Sequence, residues 1–324
     1  MIRCSLGTAK VLGLRKVKVD ALPTTAYLLL GERCKFNCAF CAQARESGAR
    51  ADLLSRVSWP DYQDEEFSAS LKGLAAEEAD FHRLCFQVVQ DKEALQEVKK
   101  WVSQVKTSRP ELPVCVSAGP RSIEEIGELI HLGAEHVSIA LDAATPEIFA
   151  QMKDGSWDSR YLLLTEAAAH YPGHLATHLI VGLGETEEEM LTRIQDLQDR
   201  GIIVALFAFT PVKGTRLEKV PQPKMEHYRR IQAGYYLVRK GLAQAENFRY
   251  AEGKVVSYGL ALEQLKNALQ TGEAFRTSGC PDCNRPYFNE TPGEELYNYP
   301  RPLLAGEIDK AWQELTRNLQ ELPE

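Results

Sequence analysis

Two hydrophobic periods alternate along this chain, and that alternation constrains its fold more than any other feature. Short runs rich in β-branched and aromatic residues occupy 25–30, 84–89, 114–116, 136–141, 176–181 and 202–209. Amphipathic stretches at 65–76, 92–106, 123–132, 159–170 and 187–200 separate them. Several helix starts are marked. Ser122 with Glu125 reads as a capping box, Thr145 caps a first-turn Pro146, and Thr186 precedes an acidic turn. Such a chain buries one face of each helix against a parallel sheet, so βα units are expected. Six units precede a proline-containing break at 220–223, two fewer than a closed barrel requires. The fold class is therefore α/β, a partial (β/α)6 parallel barrel over about 25–220, with ligands at the C-terminal ends of its strands.

Beyond the break the pattern predicts a long helix over 225–242, a candidate seventh strand near 248–250 and a helix ending near 269. An irregular stretch over 271–302, rich in Gly, Pro, Asn, Tyr and Cys, leads to a closing helix over 308–322. The whole of 1–324 is expected as one domain with irregular N- and C-terminal extensions.

The net charge of −7 and pI near 5.7 leave no basic excess to neutralise phosphates. Neither a nucleic-acid nor a membrane partner is expected. No apolar run approaches the roughly 20 residues of a membrane span, and Met1-Ile2-Arg3-Cys4 lacks a signal pattern. A cytoplasmic location follows as the expectation, and disulfides are disfavoured there. The eight cysteines fall as Cys4, Cys34/Cys38/Cys41, Cys85, Cys115 and Cys280/Cys283, a grouping that favours metal chemistry with some inert core thiols.

Directly after the first strand stands Gly31-Glu32-Arg33-Cys34-Lys35-Phe36-Asn37-Cys38-Ala39-Phe40-Cys41. Iron–sulfur cubes take four thiolates, so three in one loop leave one iron open to a substrate or cofactor. A zinc knuckle lacking a ligand, or chance, are the bland alternatives. The spacing Cys-x₃-Cys-x₂-Cys with an aromatic before the last cysteine resembles the signature of the radical S-adenosylmethionine (SAM) superfamily. That resemblance implies a [4Fe–4S] cluster on Cys34, Cys38 and Cys41. Its open iron would chelate SAM, and an electron from the cluster would release a 5′-deoxyadenosyl radical. It also implies cofactor contacts at Phe40 beside the adenine, Asp142 toward the ribose, and Ile180 and Glu185 in a fifth-strand motif. Val212, in Val212-Lys213-Gly214-Thr215, joins that set. Gly182-x-Gly184 is not read as a dinucleotide loop, since no third glycine follows at the required spacing.

Cys41-Ala42-Gln43-Ala44-Arg45 and Ile180-Val181-Gly182-Leu183-Gly184-Glu185-Thr186 resemble biotin synthase, over roughly 25–220. In that family Cys85 and Cys115 would fall where two of three cysteines hold a [2Fe–2S] sulfur donor, but the third place falls on Ala176. A structural role is therefore assigned to Cys85 and Cys115. The chain ends offer a different auxiliary site. Cys280-Pro281-Asp282-Cys283 suits two thiolates on one metal, Cys4 is a third thiol, and Ser278 is an oxygen donor nearby. A zinc half-site shared with a partner chain and a redox dithiol are the competing readings. Three cysteines and a serine beside a radical SAM site resemble lipoyl synthase, whose auxiliary cluster is consumed as the sulfur source. The terminal blocks 3–14 and 277–302 resemble the two-component lipoyl synthases.

That likeness implies sulfur insertion into an octanoyl chain on a lipoyl carrier protein or peptide. The partners it implies are a homologous subunit and a flavodoxin- or ferredoxin-type reductant. Dethiobiotin as substrate, or a non-catalytic Fe–S partner subunit, are the alternatives. Three further features carry little. His170, His174 and His178 are split by Pro172-Gly173, the run 187–189 reads as a solvated helical turn, and Arg249 is a candidate to enter the barrel.

Overall fold

The computed structural model describes residues 1–19, 21–73, 81–290, 293–317 and 319. Its strands are β1 (Ile2–Cys4), β2 (Thr25–Leu30), β3 (Leu53–Leu54), β4 (Val57–Ser58), β5 (Asp61–Tyr62), β6 (Arg83–Val88), β7 (Val114–Ser117), β8 (Ala134–Ser138), β9 (Leu175–Val181), β10 (Ile203–Ala208), β11 (Arg249–Ala251) and β12 (Lys254–Ser257). The main sheet runs β10-β9-β8-β7-β6-β2-β1-β5. Six neighbours, β2 and β6 to β10, pair in parallel and form the partial barrel. Helices Lys92–Ser108, Ile123–His131, Trp157–His170 and Glu187–Asp199 return the chain between them.

Local chemistry fixes where these helices begin. Asp91, Ser122, Thr145, Ser156 and Thr186 each accept a backbone N–H of the first turn. The capping box expected at Ser122 does not close, whereas one that was not expected does. At Thr186 the Glu189 carboxylate returns to the cap N–H at 2.8 Å, whereas Glu125 reaches the Arg121 N–H instead. The helix expected over 65–76 runs Asp64–Gly73, and 74–76 lie outside the described residues. The closing helix starts earlier than expected, as Ala305–Thr316; of its expected remainder, 318 and 320–322 lie outside the described residues. Among the described residues no helix is long and apolar enough to cross a membrane.

Both extensions differ from expectation. The N-terminal one carries β1, which pairs antiparallel with β2 (Arg3 opposite Leu29, Cys4 opposite Leu28) and with β5. The expected seventh strand becomes β11, which pairs only with β12 in a separate hairpin, and Arg249 on it is exposed. The irregular C-terminal segment closes the gap that missing strands leave. On one side Leu206 of β10 donates its N–H to Ser278 Oγ at 2.9 Å, and Asn289 reaches Ala208 O at 2.7 Å. On the other, Thr25 Oγ1 donates to Asp282 O at 2.9 Å and Arg83 Nε to Pro281 O at 2.8 Å.

Strand alternation decides which face of β1 meets the barrel. Arg3 lies on the face of Leu29, toward the interior group around Tyr27, Trp59 and Phe288. Cys4 lies with Leu28 on the opposite face, fully buried in the apolar layer between sheet and helices. Burial pushes its thiol up to about 12, so it behaves as a small apolar side chain. The expected grouping of Cys4 with Cys280 and Cys283 is thus corrected, because the sheet separates them. Replacing Cys4 with Ser should lower the unfolding free energy by ~1–3 kcal/mol in urea titrations, the cost of an apolar-buried hydroxyl; an unchanged midpoint would contradict this placement.

Candidate functional site

The three-cysteine loop leaves β2 through Gly31. Its φ of +88° lies in the left-handed region, and a Cβ there would collide with the Val89 side chain, so only glycine fits. The loop's shape is held from outside. Arg45 donates to Lys35 O at 2.6 Å, and Gln43 donates to the carbonyls of Ala51 and Leu53 at 2.8 and 2.7 Å. Arg3 completes the lacing with bonds to Ala51 O at 2.9 Å and to Gly31 O. The motif residues Gln43 and Arg45 thus serve loop geometry, and the N-terminal strand contributes an arginine here.

The N–H of Phe36 within the loop and the N–H of Gln90, just past β6, donate to Cys34 Sγ, each at 3.4 Å. Burial pushes the Cys41 thiol up to about 12 and raises Cys38 as well, against the pull of Lys153. Cys34 adds to the rise at both, so the three sulfurs share one electrostatic neighbourhood. Soft donors, an aligned backbone N–H pair and a sheltered rim fit an iron–sulfur cluster with one open site.

Cys34, Cys38, Phe40, Cys41, Asp142, Lys153, Arg160 and His178 wall an upper hollow. Asp142, four residues past the end of β8 and bridged to Leu179 of β9, lies in the left-handed region, φ +62°, and its Oδ2 takes the Lys153 ammonium at 2.5 Å. Arg160 stacks over the Phe36 ring at 5.6 Å, and its Nε is buried with no hydrogen-bond partner among the described residues. Neither cation is marked in the sequence. Each lies after the fourth barrel strand, where ligands gather, but no spacing marks them.

A lower hollow continues from the first, sharing Phe40, Cys41, Asp142 and His178. Ile180, Phe207, Phe209, Tyr27 and Phe288 give it largely apolar walls. Cys85, Cys115, His136, Cys280 and Cys283 line its floor. Cys85 is level with Tyr27, three residues below the end of β2 at Leu30, so the floor lies about 10 Å beneath the strand ends. Burial pushes Cys283 up, and it pushes Cys85 well above a free thiol, with Cys283 and Cys280 adding to the latter. His178 is driven down to about 4 by burial and stays neutral.

Several expected positions fall elsewhere. Cys85 and Cys115, read as structural, face this cavity beside the C-terminal cysteines. Ser278 is committed to the Leu206 N–H and stands behind the wall. Val212 lies outside both hollows, turning its carbonyl to Thr215 Oγ1 at 2.7 Å. Glu185 also lies outside and braces the loop of its own motif, accepting from the N–H groups of Gly182 and Leu183 at 2.6 and 3.0 Å. Glu187, expected in solvent, is fully buried and is held by Arg230 at 2.7 Å and by His227 at 3.0 Å.

That last cluster titrates. Burial alone would lower the His227 pKa, but Glu185 and Glu187 outweigh it and lift it to about 9. With a folded value above the unfolded ~6.5, its contribution is complete below about pH 6.5 and is lost as pH rises through about 9. His227→Gln should therefore cost ~1–3 kcal/mol near pH 6 and much less near pH 10 in urea titrations. A cost independent of pH would overturn this.

Comparison with known proteins agrees with the geometry. Residues 28–197, more than half of the chain, match the radical SAM superfamily. Biotin synthase of Chlorobaculum parvum is 25% identical over 187 residues, 57% of this chain and 55% of that protein. Biotin synthase of Cutibacterium acnes is 25% identical over 190 residues, 57% of this chain and 50% of that protein. The chain thus spans about half the length of the curated relatives it matches. Among solved structures, methylornithine synthase aligns with a TM-score of 0.53 at 17% identity, covering 72% of this chain and 65% of that one. The FeFe-hydrogenase maturase HydG from Carboxydothermus hydrogenoformans aligns at 0.51 and 14%, covering 72% and 55%. These structural likenesses speak to the fold alone.

Proposed function

Because this chain belongs to the radical SAM superfamily, we propose that it inserts sulfur into an unactivated methylene of a protein-bound octanoyl chain, as one component of a lipoyl synthase. The observation that carries the reading is the continuous cavity, with a three-thiol loop at its mouth, apolar walls, and thiols on its floor. An aliphatic chain fits such walls, and its reacting carbon would lie between the two sulfur-rich ends.

When bound on Cys34, Cys38 and Cys41, the cluster supplies the electron that cleaves SAM reductively. The remaining work belongs to side chains. Arg160, with its unpartnered Nε in the upper hollow, pairs with the SAM carboxylate. Lys153 holds Asp142 in place, leaving the carboxylate to meet the ribose side. Phe40 and Ile180 line the path that the reactive fragment follows and keep water from it. A second reading, sulfur insertion into dethiobiotin, is favoured by one feature: Cys85 and Cys115 pair in register on adjacent strands.

Cys38→Ala should abolish 5′-deoxyadenosine formation under strong reductant, and undiminished formation would remove the central claim. Arg160→Met should raise the KM for SAM about 10–100-fold, the loss of a charge-assisted pair, with a smaller change in kcat. Mass spectrometry of an octanoyl-lysine peptide after reaction identifies the substrate. A singly thiolated octanoyl product is expected, completed to lipoyl when a homologous partner chain is added. Conversion of dethiobiotin with the peptide untouched would establish the second reading instead.

A further inference from the structure

The loop that follows β9 contains a buried carboxylate whose counter-charge comes from elsewhere in the chain. Gly182 and Gly184 lie in the left-handed region, φ +103° and +121°. The turn they make brings Glu185 back onto the N–H groups of Gly182 and Leu183. Its side chain is 1% exposed. Two neutral donors satisfy its oxygens but leave its charge unbalanced, and an unbalanced buried ion is costly. The cation comes from the helix Met225–Arg239. His227 Nε2 stands 3.8 Å from Glu185 Oε1, and its Nδ1 lies 3.0 Å from Glu187 Oε1.

Of the two carboxylates, Glu187 has other partners. Arg230 Nε reaches its two oxygens at 2.9 and 2.8 Å, and Val255 donates its N–H at 2.7 Å. Among the described residues, His227 is the only cation within ion-pair reach of Glu185. The other groups around this pair keep one charge state where an imidazole titrates. Glu226, on the same helix, is held ionised by its own N–H and by Arg317. Burial keeps Tyr250 on β11 and Tyr258 beyond β12 protonated.

The turn that Glu185 holds also shapes the cavity. Leu183 belongs to one apolar group with Phe149 and Phe209, and Phe40 and Ile180 pack against that group. Phe40 and Ile180 line the cavity, so a displaced Leu183 would unseat the wall beside Cys41. The His227 helix presses on the same turn from behind, since a Cβ at Gly182 would come within 2.9 Å of Pro223.

We infer that His227 is a positioning residue for SAM: its imidazolium balances Glu185, Glu185 holds the turn at Gly182 and Leu183, and the turn sets the wall against which the cofactor binds. The inference rests on membership of the radical SAM superfamily and is independent of sulfur insertion. Burial lowers the His227 pKa, but Glu185 and Glu187 outweigh it and raise it to about 9. The imidazolium is therefore present below that value and is lost as pH rises through it.

The test is calorimetric titration of SAM into the anaerobic, cluster-loaded protein without reductant, so that no cleavage occurs. At pH 7.5, His227→Gln should weaken binding about 3–30-fold with iron content unchanged. At pH 10 the two proteins should bind alike to within about 2-fold. The amino group of SAM titrates identically in both, so their ratio reads His227 alone. In a Glu185→Gln background, His227→Gln should cost less than about 2-fold, because no carboxylate charge remains to be balanced. An equal loss at both pH values or in both backgrounds would reduce His227 to a packing residue and overturn the inference, as would unchanged binding in the single variant. Wild-type protein supplies a check that needs no substitution. Amide-exchange protection at Gly182 and Leu183, corrected for intrinsic rate, should fall about 3–30-fold between pH 7.5 and 10; constant protection would refute the charge balance. Protein that shows this pattern yet leaves an octanoyl peptide unreacted would sink the sulfur-insertion reading and leave the role of His227 standing.

Discussion

The six-stranded parallel barrel leaves β10 without a further neighbour while β1 covers the edge of β2, and Arg285 spans the opening between β10 and β2. Its guanidinium bonds Leu206 O on β10 and lies 4.0 Å from the Phe207 ring centroid, while its backbone N–H donates to Tyr27 Oη on β2 at 2.9 Å. Around it, Asn284 takes the Thr24 N–H at 2.9 Å, and Asn289 takes up the carbonyl of Ala208. Backbone groups at an open sheet edge must find partners, and a segment without regular structure supplies them here. The placement of Cys280 and Cys283 follows from this clasp, because both lie between residues it fixes. Left-handed backbone at Asp282 and Arg285 lets so short a segment turn twice.

The barrel was legible because its signal is local. Periodicity and caps locate βα units, and the fifth strand with its Gly182-x-x-Glu185 loop falls where the pattern puts it. The three-cysteine loop was legible for a similar reason, since ligands for one cluster lie within eight residues of chain. What escaped is set by register and by long-range contact. Only pairing with β2 decides that Arg3 faces inward and Cys4 outward. Glu187 looks like any first-turn carboxylate until Arg230, 43 residues away, is seen to reach it. Cys85 and Cys115 read as inert because their companions come from an aperiodic segment that no pattern rule places.

The two sulfur-rich ends of the cavity are built by opposite strategies. At the mouth, one loop carries all three thiols, and neighbouring side chains only shape it. On the floor, the thiols come from β6, β7 and the C-terminal segment, so they meet only when sheet and segment are assembled. Between the two, aromatic and aliphatic walls exclude water from whatever occupies the middle.

The clasp also sets a timetable. The bond from Arg83 to Pro281 joins residues 198 apart in sequence. A ribosome adding about 5–20 residues per second needs roughly 10–40 s to cover that stretch. For the last part of that interval, after β10 is made, a nascent barrel has its strand thiols in place and one side open, and it seals when the last eighth of the chain emerges. Before that moment the interior is reachable from the side as well as from the mouth. Afterwards the side route requires the segment to swing away again, at the cost of the hydrogen bonds that now hold it shut.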